Sequence, residues 1–325
     1  MKYLTVLLVG LLIGCSGEPQ QSGRFAFNKG AAVVPDFDVD SAYAFVEAQV
    51  GFGTREPNSR GHKQTRDYLI ETLRGFAGQN GVYAQDFQVS GYDDEILELT
   101  NVIAAFNPTA KDRILLAAHW DTRPRAEEDE DSSRHGEPIV GADDGGSGVG
   151  VLLELARIFS ENNPPIGIDI ILFDGEDYGI PSDLNNYFLG ARHWSANPPV
   201  PGYSPRFGIL LDMVGGKGAT FPKEGFSRRY ASMLVDNVWD VAHELGYEDY
   251  FLDVDGPPVA DDHLVVNQIA RIPMIDIIHY TTTNGDSVEF PPYWHTHNDT
   301  MEIIDKSTLD AVGSILLEII YNRLN

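Results

Sequence analysis

Short apolar runs alternate with segments of helical periodicity along most of the chain. Five runs are apolar at nearly every position, at 101–107, 113–121, 168–177, 207–215 and 272–280. Helical spacing of apolar residues recurs between and after these runs, at 146–162, 227–246 and 307–324. Strands that are apolar without strict alternation are typical of a parallel sheet covered on both faces. The pattern therefore predicts an α/β fold, a single three-layer domain whose mostly parallel central sheet carries helices on both faces.

Two helical patterns and one strand pattern come before these elements. The helices are predicted at 38–50 and 62–77, and the strand at 82–89. No internal repeat and no second linker follows Asp36, so we predict one domain over residues 36–325. Residues 15–35 are rich in Gly, Pro, Gln and Ser, and we expect them to form a tether.

The first residues have the pattern of a targeting segment. Lys2 precedes an apolar stretch from Tyr3 to Gly14, which is too short to span a bilayer and is typical of a signal peptide. Cys15, the only cysteine, follows directly and resembles the lipid-modified cysteine of bacterial lipoproteins. We therefore predict a signal peptide over residues 1–14 and a lipid anchor at Cys15, on the periplasmic side of a bacterial cell envelope. The alternative is a plain secretory signal with an incidental cysteine.

The net charge of the chain limits which classes of binding partner are expected. The chain of 325 residues has a net charge of −26, and its pI is near 4.5. Nucleic acid is not expected as a partner, because binding phosphates requires a cationic face. Apart from the predicted lipid anchor, no run is long and apolar enough to predict contact with a membrane.

Carboxylates and imidazoles cluster where the predicted strands end. They are His119, Asp121, Asp143, Asp144, Glu176, Asp177, Asp212, Asp261, Asp262, His263, His295 and His297. A single Asp or His in such a place usually makes a turn or a cap. Several of them at consecutive strand ends would meet in one crevice and repel one another unless a cation neutralised them. Imidazole with carboxylate is a ligand set that zinc accepts.

The same stretches resemble a known family. HWDTRP, GADDGGSGVG, DGEDYG, LLDMVG and WHTHNDT, in this order, are similar to the zinc aminopeptidase superfamily, in which glutaminyl-peptide cyclotransferases form one branch. NPTAK at 107–111, ADDH at 260–263 and Trp294 before His295 resemble that branch, and the motif detail is similar to bacterial enzymes that share the animal-type fold. The resemblance covers residues 36–325, where it implies a zinc-dependent catalytic domain.

The resemblance implies a role for each site residue. The zinc ligands would be Asp144, Asp177 and His295, with Asp143 and His297 as the less favoured neighbours. In such families the peptide bond after the first ligand is often cis, which predicts a cis bond between Asp144 and Gly145.

The remaining roles concern proton transfer and substrate binding. Glu176 would be the catalytic acid/base, with Asp212 and Asp261 as carboxyl groups that hold a shared proton beside it. Asp212 on its own also fits a hydrogen-bonded core aspartate. Trp294 would form a wall of the substrate pocket, and it also fits an ordinary packed aromatic residue.

Three departures from the family pattern stand out. Asp177 is one methylene shorter than the glutamate of many relatives. Asp276 stands where animal cyclotransferases carry a histidine. The stretch at 178–187 lacks the tryptophan that follows the paired carboxylates in the animal enzymes. The acidic segment 125–138 separates two site motifs and is predicted to be a solvated loop, with a place on the pocket rim or a bound cation as alternatives.

These roles together imply an enzyme that converts N-terminal glutamine of peptides or proteins to pyroglutamate and releases ammonia, with one zinc per chain. The alternative is a di-zinc aminopeptidase, because His119, Asp144, Asp177, Asp212 and His295 supply all five ligands of a dinuclear centre. A non-enzymatic binding module would be expected to have lost ligands or Glu176, and neither is lost here.

Overall fold

A six-stranded mixed sheet forms the centre of the domain. The computed structural model describes residues 23–181, 183–282 and 287–324. The strands of the sheet are β1 (Val82–Ser90), β2 (Ile96–Phe106), β3 (Arg113–His119), β4 (Gly167–Phe173), β5 (Gly208–Asp212) and β8 (Met274–Ile278). Their order is β1-β2-β4-β3-β5-β8. The β4-β3-β5-β8 pairs are parallel, and β1 and β2 are added antiparallel at one edge.

Seven α-helices that lie wholly within the described residues, together with a small second sheet, surround the central sheet. The helices are α1 (Val39–Val50), α2 (Arg60–Ala77), α3 (Gly146–Glu161), α4 (Leu189–Ala196), α5 (Gly225–Glu244), α6 (Asp262–Val265) and α7 (Lys306–Glu318). The small parallel sheet pairs β6 (Phe221–Lys223) with β7 (Phe251–Asp255).

The two faces of the sheet carry separate hydrophobic cores. Side chains alternate along a strand, so Leu116 of β3 joins the larger core with α1, α2, α3, α5 and α7. Leu115 points the other way and packs with Trp194 of α4 and Val265 of α6. The predicted three-layer α/β fold with helices on both faces is therefore confirmed.

Glycines at the start of α3 allow its close approach to the sheet. A Cβ on Gly148 would lie 2.5 Å from the carbonyl oxygen of Leu211, and one on Gly150 would lie 2.5 Å from a methyl carbon of Val46. The GSGVG segment thus brings the N-terminus of α3 against β5 and α1. This places Asp143 and Asp144, which precede the helix, beside the strand ends.

Part of the segment predicted as a tether contacts the domain. Phe25 is buried in the larger core, and the backbone N–H groups of Asn28 and Gly30 donate to the carbonyls of Arg323 and Asn322 at 2.9 and 2.7 Å. Apolar and backbone contacts therefore hold this part of the segment against the domain, which the polar composition did not indicate. Cys15 and the predicted signal peptide lie outside the described residues. No helix in the described part of the chain has the length and apolar character to cross a membrane.

Candidate active site

The parallel strands deliver polar side chains to one edge of the sheet. His119 is the last residue of β3, Asp212 is the last of β5, and β4 ends at Phe173 just before the 174–177 turn. The N-terminus of α3 lies at the same edge. Such a crevice beyond the carboxyl ends of parallel strands is where α/β proteins place their sites.

The turn into α3 depends on a left-handed glycine. Gly145 has a φ of 86°, and a Cβ there would lie 2.3 Å from the carbonyl oxygen of Asp121. The Asp144–Gly145 peptide bond is trans, so the predicted cis bond is wrong. The chain reverses through the φ of Gly145 instead, while the carboxylate of Asp299 accepts the backbone N–H groups of Asp143 and Asp144 at 2.8 and 3.0 Å.

The two adjacent carboxylates before α3 have different partners. Asp143 accepts the hydroxyl of Tyr293 and the backbone N–H of Gly215, each at 2.7 Å. Asp144 lies toward the crevice, with Oδ1 3.1 Å from His119 Nε2 and Oδ2 3.7 Å from His295 Nε2. Asp143 therefore braces the loop, and Asp144 is the carboxylate of the pair that faces the two imidazoles of the crevice.

Glu176 and Asp177 lie in the turn formed by residues 174–177. Gly175 has a φ of 71°. The carboxylate of Asp174 is held by His62 at 2.8 Å and by the backbone N–H of Thr100 at 2.6 Å.

The carboxylate of Asp121 caps this turn. It accepts the backbone N–H groups of Glu176 and Asp177 at 3.0 and 3.2 Å. Their side chains then diverge. Asp177 Oδ1 lies 3.4 Å from His295 Nε2, and Glu176 Oε2 lies 3.9 Å from His119 Nδ1.

Asp144, Asp177 and His295 form a group that could hold a metal ion. Their ligand atoms all lie within 4.8 Å of one another, and all three residues are buried. Oδ2 of Asp177 is buried and has no hydrogen-bond partner in the described residues. One imidazole and two carboxylates suit zinc, with a position left for substrate. His297 is turned away from this group and bonds Asp129 through Nδ1 at 2.8 Å.

A second group shares Asp144 with the first. It consists of His119, Asp144 and Asp212, again with ligand atoms within 4.8 Å. His119 Nε2 lies 3.1 Å from Asp144 and 3.3 Å from Asp212. The structure thus brings all five potential dinuclear ligands together.

The carboxyl group of Glu176 is suited to holding a proton. Its side chain is 13% exposed, and its pKa lies well above the ordinary value, because of burial first and the negative charge of Asp177 second. Asp261, the N-cap residue directly before α6, has its pKa raised to about 6 by burial and then by Asp212. A general acid/base near neutral pH needs shifts in this direction.

A deeper acidic cluster lies behind Asp261, and sequence reasoning did not assign it. Asp276 on β8 is fully buried, and neither of its carboxylate oxygens has a hydrogen-bond partner among the residues described. His263 lies between two acids, with Nδ1 3.5 Å from Asp276 and Nε2 3.0 Å from Glu224. Burial, and then the charge of Asp261, raise the pKa of Asp276 well above its usual range. The sequence signal for this cluster was Asp276, an aspartate within the mostly apolar run 272–280.

The site opens into a pocket of about 360 Å³. Its aromatic wall is a stack in which Trp294 lies 3.6 Å from the ring of His295 and 4.4 Å from that of Phe290, centre to centre. Glu127 and Glu128 also line it, so part of the segment predicted as a solvated loop is on the pocket rim. The described part of 125–138 contains one short 3-10 turn, at Ser132–Arg134.

Left-handed backbone occurs at two non-glycine residues of the site. His295 has a φ of 53°, and Met213, directly after Asp212, has a φ of 50°. This conformation is uncommon for such side chains and costs on the order of 1–3 kcal/mol. His295 belongs to one group of possible metal ligands and Met213 follows a member of the other. Backbone strain of this kind clusters at functional sites.

Comparison with known proteins decides the family. The model of peptidase family M28 matches residues 101–320, a range that contains both groups of possible metal ligands, Glu176 and Asp261. The chain belongs to peptidase family M28.

Solved structures related to this M28 protein agree with it over nearly the whole domain. A glutaminyl cyclase from Bacteroides thetaiotaomicron, bound to N-acetylhistamine, is 47% identical, with a TM-score of 0.85 over 89% of this chain and 99% of the other. A Zn-dependent exopeptidase from Parabacteroides distasonis is 49% identical, with a TM-score of 0.85 over 90% and 100%. The glutaminyl-peptide cyclotransferase of Gloydius blomhoffii is 26% identical over 83% of this chain and 78% of its own.

Proposed function

We propose that the protein is a zinc-dependent glutaminyl-peptide cyclotransferase, which converts N-terminal glutamine to pyroglutamate. The observation that carries this proposal is the wall formed by Trp294 against the metal-ligand residue His295. An aromatic pocket wall next to the ligand group suits the planar, uncharged amide of a glutamine side chain. The similarity to bacterial and animal glutaminyl cyclases supports the same conclusion.

Asp144, Asp177 and His295 would hold one zinc ion. Their burial, their mutual distances and the unpartnered oxygen of Asp177 fit a cation at this point. When bound, zinc supplies Lewis-acid polarisation of the γ-amide carbonyl of the substrate.

Glu176 is the group that moves the proton. As a carboxylate it accepts a proton from the α-amine, whose nitrogen forms a bond to the γ-carbonyl carbon. It then gives that proton to the leaving amide nitrogen, and the carbon–nitrogen bond breaks to release ammonia. Asp212 and Asp261 would share this proton beside Glu176, whose pKa is raised by burial first, then by Asp177 and further by Asp261.

Two peptides test this function directly. The zinc-loaded protein is incubated with a glutamine-initiated peptide and a leucine-initiated peptide, and the products are weighed. Loss of one ammonia from the first peptide, with the second unchanged, is the expected result. Release of a free N-terminal amino acid from either peptide would contradict it.

A di-zinc aminopeptidase is the second candidate. The His119, Asp144 and Asp212 group favours it, because these residues could hold a second ion beside the first. An exopeptidase is also among the similar structures. In that case Glu176 would activate water, and the leucine-initiated peptide would be shortened.

We also propose that the enzyme acts at the cell envelope, held by a lipid on Cys15. The signal-like residues 1–14 and the lone cysteine after them support this. In fractionated bacteria that express the full chain, we expect wild type in the detergent-soluble membrane fraction and Cys15→Ala outside it. Equal partitioning of the two proteins would contradict the anchor.

A further inference from the structure

The first residues of the acidic segment are built into the active site. Arg123 lies two residues before the segment and Ala126 is its second residue, and both are fully buried. Glu127 is partly buried, whereas its neighbour Glu128 is exposed. Buried charge in a loop of this kind needs specific partners, and these partners are at the zinc-ligand group.

Arg123 connects Asp177 with Glu127. Its Nη1 donates to the backbone carbonyl of Asp177 at 2.7 Å and to the side-chain Oδ1 at 3.0 Å. Its Nε donates to Glu127 at 3.0 Å. Because Oδ1 of Asp177 is held in this way, the direction of the unpartnered Oδ2 is also fixed.

Glu127 continues the connection to His295. Its Oε1 lies 3.5 Å from Nδ1 of His295, a buried nitrogen that otherwise has no hydrogen-bond partner in the part of the chain described. The backbone N–H of Glu128 donates to the carbonyl of His295 at 3.3 Å. Asp129 accepts the backbone N–H of His297 at 2.9 Å. The segment thus contacts both the ring and the backbone of this ligand residue.

We propose that Arg123 and Glu127 are positioning residues that orient two of the three zinc ligands and thereby set the affinity for zinc. The inference rests on the proposed zinc site. A carboxylate facing Nδ1 keeps the proton on that nitrogen, which leaves the lone pair of Nε2 for the metal. At the same time Arg123 offsets the charge of two carboxylates, Asp177 and Glu127, in a buried place.

Glu127→Gln tests the proposal, with Glu128→Gln as the matched control. Both changes remove one negative charge from neighbouring residues on the pocket rim. Glu127 is the one whose carboxylate faces the His295 ring, whereas Glu128 contacts His295 through its backbone N–H, which the change keeps. Zinc dissociation constants are measured by competition with a chromophoric chelator. We expect E127Q to weaken zinc binding by about 10-fold or more, the range for loss of an outer-shell carboxylate, and E128Q to leave it unchanged.

Cobalt substitution distinguishes a loss of ligand orientation from a general loss of structure. The visible spectrum of the cobalt protein should change in E127Q and not in E128Q, while the circular dichroism of both metal-free variants stays that of wild type. If E127Q does not fold, Glu127→Asp, which keeps the charge but shortens the side chain, should weaken zinc binding in the same direction.

Two results would overturn the proposal: wild-type affinity in the folded Glu127 variant, or an equal loss in both glutamine variants. If wild type itself binds no zinc, the zinc site proposed above fails, and this inference fails with it.

Discussion

Two ligand groups of nearly the same chemistry share Asp144, yet their surroundings differ. The His295 group is bounded by the guanidinium of Arg123 and by the Trp294 wall, at the pocket. The His119 group is bounded by further carboxylates, because Nδ1 of His119 lies 3.7 Å from Asp121 and 3.9 Å from Glu176. Residue type alone therefore does not define a metal site. The neighbouring charges distinguish a group suited to holding zinc from one suited to holding protons.

The largest effect is expected from a substitution that removes proton transfer and leaves metal binding intact. Glu176→Gln removes the base but keeps the size of the side chain. We expect cyclisation to fall by roughly 10²–10⁴-fold, the usual contribution of a general acid/base, with zinc still bound. Measured turnover close to wild type would mean that another group moves the proton.

Replacing the histidine of each group tests which of the two groups binds zinc. His295→Ala should weaken zinc binding by more than about 100-fold, above the range for loss of an outer-shell partner. His119→Asn should keep zinc affinity within about 10-fold on the same scale, while cyclisation falls. Isothermal titration of the metal-free variants measures both values. A greater loss of zinc in the His119 variant would reverse the assignment of the two groups.

The smallest effect concerns the pH dependence of stability. Burial, and then Asp212, raise the pKa of Asp261 from 3.8 to about 6. A raised carboxyl pKa means that the folded protein binds the proton more tightly than the unfolded chain. This stabilisation is complete below pH 3.8 and is lost as the pH rises to about 6.

Asp261→Asn lacks this titration. Relative to metal-free wild type, the variant should therefore gain about 2 kcal/mol in free energy of unfolding between pH 4 and pH 6, because each pH unit between the two pKa values is worth about 1.36 kcal/mol. Urea titrations of both metal-free proteins at several pH values measure the difference. A difference that does not change with pH would contradict the raised pKa.

The sequence was sufficient to predict the fold and the residues at the strand ends. The apolar runs gave strands that follow their predicted positions, and the order of those runs brought His119, Glu176 and Asp212 to one edge of the sheet. This works because parallel strands end at a common edge whatever the loops do. The small sheet of β6 and β7 was not predicted, since its strands are too short for a recognisable period.

The supporting residues could not be predicted from local patterns. Asp299 braces the backbone at Asp143 and Asp144 from 156 and 155 residues away. Glu127 lies in an acidic segment whose composition is that of a solvated loop. Partners of this kind depend on tertiary packing, which the period of a single element does not contain. The predicted cis bond was wrong because a left-handed glycine also allows the turn.

Anomalous scattering at the zinc absorption edge, from a crystal of the zinc-loaded protein, tests the division between the two groups most directly. The account predicts one strong peak per chain, bounded by Asp144, Asp177 and His295. A second peak of equal strength between His119, Asp144 and Asp212 would contradict it and favour the di-zinc aminopeptidase.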